Sequence, residues 1–209
     1  MKNQKLEPII LASGSPRRQE YFKMLGLPFI VKPAMIDESL CTQTDPEKLT
    51  LELAEKKIEK VANDMANDMS EHPPKWIFGA DTVIVVDNKI LGKPETREEA
   101  ALMLKELSGR EHRAVTSIAL YNVNVKKMDS LTVSCKVNFT SISDEEIEWY
   151  LDTNEWQGVA GAYRIQGLAS CFIDKISGSP GTVTGLPLHE FYVMLRNNGY
   201  PYGARFCTA

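Results

Sequence analysis

The chain has no excess of positive charge. Its 24 lysines and arginines are outnumbered by 28 aspartates and glutamates, a formal charge of −4. No basic stripe interrupts that balance, which disfavours nucleic acid as a partner. Long hydrophobic runs are missing too. No stretch approaches the roughly 18 apolar residues of a membrane span, and the first residues show no signal-peptide core, so a cytoplasmic protein without a membrane partner is expected. Cysteine is scarce and scattered. Cys41, Cys135, Cys171 and Cys207 form no CxxC pair, which points to reduced thiols in a cytosol and excludes a disulfide framework. His72, His112 and His189 lack zinc-ligand spacing, which argues against a zinc site. Repeats, low-complexity tracts and a clear interdomain linker are absent as well. The 209 residues, 43% hydrophobic and 25% charged, suffice for one large domain, or one domain of two lobes, with a proper core.

One stretch stands out, Ile9-Ile10-Leu11-Ala12-Ser13-Gly14-Ser15-Pro16-Arg17-Arg18. The apolar run reads as a short buried strand and Ser13-Gly14 as a tight loop. Ser15-Pro16 then reads as an N-cap followed by proline at the first helical position. Arg17 and Arg18 fall in the first turn, where the helix dipole disfavours cations. Strand, small-residue loop and two guanidinium groups suit an anion, most naturally phosphate; the alternative is a surface helix whose arginines point into water.

The spacing predicts a helix over 16–25 closed by Gly26, a strand over 28–31, and a loop over 35–44 holding Asp37 and Glu38. Asp45-Pro46 caps a helix with Leu49, Leu53, Ala54, Ile58, Val61, Ala62 and Met65 at helical spacing, fraying near Met69 before His72-Pro73-Pro74. Residues 76–86 form the most apolar segment, a central strand, followed by a hairpin turn at Asp87-Asn88. Thr96 with Glu99, and Ser143 with Glu146, have capping-box spacing and start two further helices. Strands are expected over 114–125, 131–140 and 168–176, loops over 158–167 and 178–185, and a last helix over 186–197.

Asp81 lies inside the most buried strand, where an ionised carboxylate is costly unless a cation, a metal or strong donors offset its desolvation. Gly79 and Ala80 leave room beside it. It is therefore either a catalytic or metal-binding group or the receiver of a buried arginine. Lys93, in Leu91-Gly92-Lys93-Pro94, sits between two residues that fix the backbone. Lys57, among Lys56 and Lys60, reads on its own as a solvated residue at the edge of its helix, and Asp37 and Glu38 as metal ligands or as ordinary loop acids. Gln166 offers a donor and an acceptor in one plane, the pairing that reads a base edge. Tyr163 either stacks on a base or packs in the core.

Together these stretches resemble the Maf family of nucleoside triphosphate pyrophosphatases. Ser13-Gly14-Ser15-Pro16-Arg17-Arg18 is similar to the family's SxSPRR loop, Gly79-Ala80-Asp81-Thr82 to its GADT strand and Gly92-Lys93-Pro94 to its GKP turn. The Leu107–His112 segment with Thr116 beyond, the Gly161–Gly167 loop and Val183-Thr184-Gly185-Leu186-Pro187-Leu188 follow in family order. The resemblance implies an α/β fold with a long twisted mixed sheet, flanking helices and a cleft between two lobes. It implies hydrolysis between the α and β phosphates with a divalent cation, magnesium or manganese. Asp81 is then the proton acceptor or the metal-bound carboxylate, with Glu38 assisting the metal. Ser13, Arg17, Arg18, Lys57 and Lys93 hold the triphosphate, and Arg17, Thr82 and Gln166 resemble the subclass acting on dTTP and UTP. A homodimer is compatible with it. The chain departs from the family at Gly158 and Val159, where Asp-Lys is usual, at Arg164, where Gly is usual, and at Ser179-Pro180-Gly181. These departures leave a second reading, a weakly active nucleotide-binding regulator of cell division.

Overall fold

The computed structural model describes residues 6–66 and 74–202. Met69, His72, Pro73 and Cys207, which enter the sequence reading, lie outside them. In chain order the elements are β1 (Ile9–Leu11), α1 (Pro16–Met24), β2 (Phe29–Val31), α2 (Pro46–Ala66), β3 (Trp76–Val86), β4 (Lys89–Leu91), α3 (Arg97–Leu107), β5 (Glu111–Asn122), β6 (Lys127–Phe139), α4 (Asp144–Asp152), β7 (Ile173–Ser177), α5 (Pro180–Thr184) and α6 (Leu188–Asn197). The strands form one mixed sheet in the order β2-β1-β3-β5-β6-β7, with β4 on β3. The β1 pairings are parallel, and those of β4 and β7 antiparallel. The helices flank this sheet, giving the α/β fold that the resemblance implies.

The chain divides into two compact units: Met1–Asp81 with Ser117–Thr132 and Leu188–Ala209, and Thr82–Thr116 with Val133–Pro187. In the first, α1 buries Phe22 among Phe29, Phe78 and Phe191, with ring centroids 5.3–5.5 Å away. The helix ends as its sequence predicts: Gly26 N–H reaches the Lys23 carbonyl and Leu27 N–H the Phe22 carbonyl. Helix α2 lays Ala54, Ile58 and Val61 against Ile10, Ile77 and Ala119. It approaches β3 so closely that a Cβ on Gly79 would run into the Ala54 carbonyl oxygen and stand 2.9 Å from Ile58 Cγ1, so only glycine fits. Thr50, fully buried on α2, bonds the Ser117 hydroxyl of β5 at 2.7 Å.

The second unit packs Leu104 and Leu107 of α3 and Ile147, Tyr150 and Leu151 of α4 with Val137, Phe139, Trp156 and Tyr163. Ser143 and Glu146 make both bonds of a capping box. Thr96 makes only the forward one; the Glu99 carboxylate takes the Glu95 N–H at 2.8 Å instead of that of Thr96.

Several boundaries differ from the sequence reading. Strand β5 sits three residues earlier than expected, and β6 starts four residues earlier and ends one earlier, because Asn122 Oδ1 accepts from the N–H groups of Asn124 and Val125 and turns the chain there. Residues 168–172 are a 3₁₀ turn and not strand: Ala169 and Phe172 are buried three apart, the 3₁₀ period. Ser179-Pro180 opens a short helix, α5, inside the expected loop. The last helix begins two residues later than expected, at Leu188, after Pro187.

Candidate active site

The phosphate-loop candidate lies in the first unit. After β1, Ala12 N–H bonds the Phe78 carbonyl at 2.8 Å, holding the loop against β3. Ser15 occupies the N-cap position of α1, but its hydroxyl makes no capping bond. Its own N–H goes to Ser13 Oγ at 3.3 Å, and the same oxygen accepts from Arg18 Nη1 at 2.8 Å. Ser13 and Arg18 are both buried, 8% exposed; Arg17 is half-buried. Arg18 therefore does not point into water. Burial draws its pKa down, while the charges of Asp81 and Glu38 oppose that shift. Those carboxylates offset the penalty of a cation in a first helical turn.

Asp81 and Lys57 are the centre of the arrangement. Lys57 Nζ donates to Asp81 Oδ1 at 2.6 Å and lies 2.9 Å from Glu38 Oε1. The Lys57 and Asp81 side chains are only 10% and 12% exposed, whereas that of Glu38 is half-exposed. Lys57 is thus not a solvated surface residue. It stands four residues after buried Leu53 and four before buried Val61, on the inward stripe of α2. Burial raises the pKa of Asp81; Lys57 and Arg18 pull it back down, and Glu38 adds to the rise. A carboxylate ionised beside an ammonium, yet less acidic than in water, is suited to take a proton from an attacking nucleophile. Of the two loop acids, Asp37 is structural, its Oδ1 accepting from the N–H and hydroxyl of Ser39. That cap shapes the 3₁₀ turn Glu38–Leu40, from which Glu38 reaches Lys57.

Among the described residues there is no group of three His, Cys, Asp or Glu able to hold a metal ion. Two carboxylates, Asp81 and Glu38, nevertheless meet one positive point at Lys57 Nζ. Hard oxygen donors in that number fit a magnesium-like ion, which takes one or two carboxylates and completes its shell with water and phosphate oxygens.

Thr82, Lys93 and Gln166 belong to the second unit. Successive strand residues leave on opposite faces, so Thr82 does not share the contacts of Asp81: its hydroxyl meets that of Thr116 at 2.9 Å. Lys93 and Gln166 are exposed. Their two loops are joined, since Gly161 N–H bonds the Gly92 carbonyl at 2.9 Å. Tyr163 packs in the core, 4% exposed, its hydroxyl 2.9 Å from His112 Nε2. The buried His112 is pushed down to about 4 by desolvation and stays neutral. Where the family has Asp-Lys, Gly158 is a left-handed turn residue and Val159 is buried. Thr116, which the sequence motifs place just beyond the Leu107–His112 segment, links the Thr82 hydroxyl to the backbone carbonyl of Thr182, a residue to which the motifs give no role; a polar residue inside the apolar run of β5 is a second signal that marks Thr116.

A family profile described as Maf-like protein matches residues 8–198. The dTTP/UTP pyrophosphatase of Symbiobacterium thermophilum is 41% identical over 198 residues, 94% of this chain and 96% of that one. The protein of the same name from Chelativorans sp. is 42% identical over 193 residues, 92% and 91% of the two chains. That of Treponema denticola is 39% identical over 202 residues, 93% and 98%. The buried Asp81–Lys57 pair, the Ser13–Arg18 loop and a match along nearly the whole length agree: the chain belongs to the Maf family.

Proposed function

We propose that this chain hydrolyses nucleoside triphosphates between the α and β phosphates, releasing a nucleoside monophosphate and pyrophosphate, with dTTP and UTP preferred. The observation that carries the reading is the buried Asp81 carboxylate held by Lys57 at 2.6 Å, with Arg18 and Ser13 paired on the adjoining loop. The names of the relatives supply the substrate class.

In this reading the Asp81 carboxylate accepts a proton from the attacking water. Its raised pKa favours that transfer, and the Lys57 ammonium keeps it ionised until then. Arg17, Arg18 and Lys93 supply guanidinium and ammonium donors to phosphoryl oxygens, where charge grows in the transition state. Lys57 contributes to the same field, and Ser13 offers its hydroxyl. Asp81 and Glu38 would hold magnesium or manganese, which supplies Lewis-acid neutralisation of phosphate charge when bound. Gln166, exposed on its loop, reads the carbonyl and adjoining N–H of uracil or thymine with one amide. Thr82 and Arg17 orient the nucleotide for that reading. Three free thiols among the described residues suit a cytoplasmic setting.

The test is a panel of nucleoside triphosphates assayed for pyrophosphate with magnesium and with manganese. Faster release from dTTP and UTP than from CTP or the purine nucleotides is expected. Saturable binding of these nucleotides with no pyrophosphate under either metal would overturn the catalytic reading in favour of a nucleotide-binding regulator.

A further inference from the structure

The hydroxyls around Thr82 form a chain with a direction. Thr116, fully buried on β5, donates its only hydroxyl proton to the Thr182 carbonyl at 2.7 Å. That carbonyl is firmly placed. Pro180 starts the single-turn helix α5, and Gly185, left-handed at φ 103°, ends it by returning its N–H to Gly181 and Thr182. With the Thr116 proton committed, the 2.9 Å contact between Thr116 Oγ1 and Thr82 Oγ1 has one polarity: Thr82 donates and Thr116 accepts. The Thr82 oxygen thereby acts through its lone pairs. Thr82 is also the single residue of β3 that is not buried.

We infer that Thr116 is a positioning residue that fixes Thr82 as a hydrogen-bond acceptor, so that Thr82 selects a nucleotide presenting a donor. The inference rests on the proposal that Thr82 meets the nucleotide. Two donors on dTTP and UTP have this chemistry, the imide N–H of the base and the 3′ hydroxyl of the sugar. Cytosine places an acceptor nitrogen where uracil has its N–H, and would set lone pair against lone pair.

The experiment compares kcat/KM for UTP with that for N3-methyl-UTP, in which a methyl group replaces the imide hydrogen while both carbonyls stay, and for 3′-deoxy-UTP, which lacks the sugar hydroxyl. Wild type is expected to prefer UTP over one of these analogues by about tenfold or more, the scale of one unpaired buried group. The analogue that suffers identifies the donor. Thr116→Val keeps shape but frees the Thr82 proton, and should shrink that preference about fivefold or more; Thr116→Ser should restore it. Thr82→Val should shrink it equally, and the double variant no further. If Thr116→Val does not fold, Thr82→Val carries the test. Folded variants that keep both ratios at the wild-type value would overturn the inference, as would a wild type indifferent to both analogues. Either result leaves the pyrophosphatase reading standing. A wild type that neither hydrolyses UTP nor is thermally stabilised by it overturns that reading and this inference together.

Discussion

Replacing Lys57 with Met removes one half of a buried ion pair while keeping most of the packing volume. Both side chains are about nine-tenths buried and bond at 2.6 Å. Breaking such a pair from one side costs on the order of 3–5 kcal/mol, because the remaining charge stays desolvated. Arg18 still attracts Asp81 in the variant, so the lower end, about 3 kcal/mol at neutral pH, is expected. The pH dependence has a definite sign. A carboxylate whose folded pKa is raised binds its proton more tightly folded than unfolded, so it costs stability at neutral pH. That cost is relieved as pH falls through the folded pKa, and fully so only below the ordinary value of 3.8. Without Lys57 the pKa rises further, so Lys57→Met should recover stability relative to wild type as pH falls from neutral toward 3.8. Removing the charge as well, in Lys57→Met with Asp81→Asn, should recover most of the loss at pH 7. Urea unfolding of wild type, both single variants and the double variant measures all of this. A loss under about 1 kcal/mol for Lys57→Met, with no recovery in the double variant, would refute the buried-pair reasoning.

Gly79→Ala pushes a methyl group against the Ala54 carbonyl and Ile58, and should cost about 1–3 kcal/mol in urea unfolding; a neutral effect would mean that α2 stands off β3. His112, held neutral down to about 4 against an ordinary value near 6.5, contributes stability present above pH 6.5 that is lost as pH falls toward 4. Its ring resonances in an NMR titration should show no midpoint above about pH 5, and a midpoint near 6.5 would show the ring solvated. Gln166→Glu loses a donor and sets a negative charge against the base carbonyl, so activity on dTTP and UTP should fall more than on other nucleotides, by about tenfold; an unchanged ranking would remove Gln166 from base reading.

Where hydrophobic period and local chemistry agree, the elements were legible: β3 is continuous and apolar, the Ser143–Glu146 box starts α4, and Asp87-Asn88 makes a hairpin turn with both φ positive at 46° and 64°. Over 168–172 the apolar content suits a strand, while the three-residue spacing of buried Ala169 and Phe172 belongs to a 3₁₀ turn. Strands β5 and β6 start three and four residues earlier than their apolar pattern suggests because the Asn122 side chain makes the turn between them, with no glycine or proline to announce it. The site was legible in its residues but not in its contacts. Asp81 was conspicuous because a buried charge needs a partner. The partner, Lys57, was hidden by its own charge, although the spacing from Leu53 to Val61 places it on the inward stripe. Arg18 was seen as anomalous for the helix dipole, and the offsetting carboxylates, distant in sequence, supply the reason. The Thr82–Thr116–Thr182 chain depends on β3, β5 and α5 coming together, which no local pattern announces.

The most direct measurement is phosphorus NMR of the products formed from dTTP by wild type and by a folded Asp81→Asn variant in the presence of magnesium. Wild type is expected to yield thymidine monophosphate and pyrophosphate, and Asp81→Asn to slow turnover at least about a hundredfold, the scale of losing a general base. Orthophosphate and thymidine diphosphate as products, or near wild-type turnover by the folded variant, would contradict that expectation.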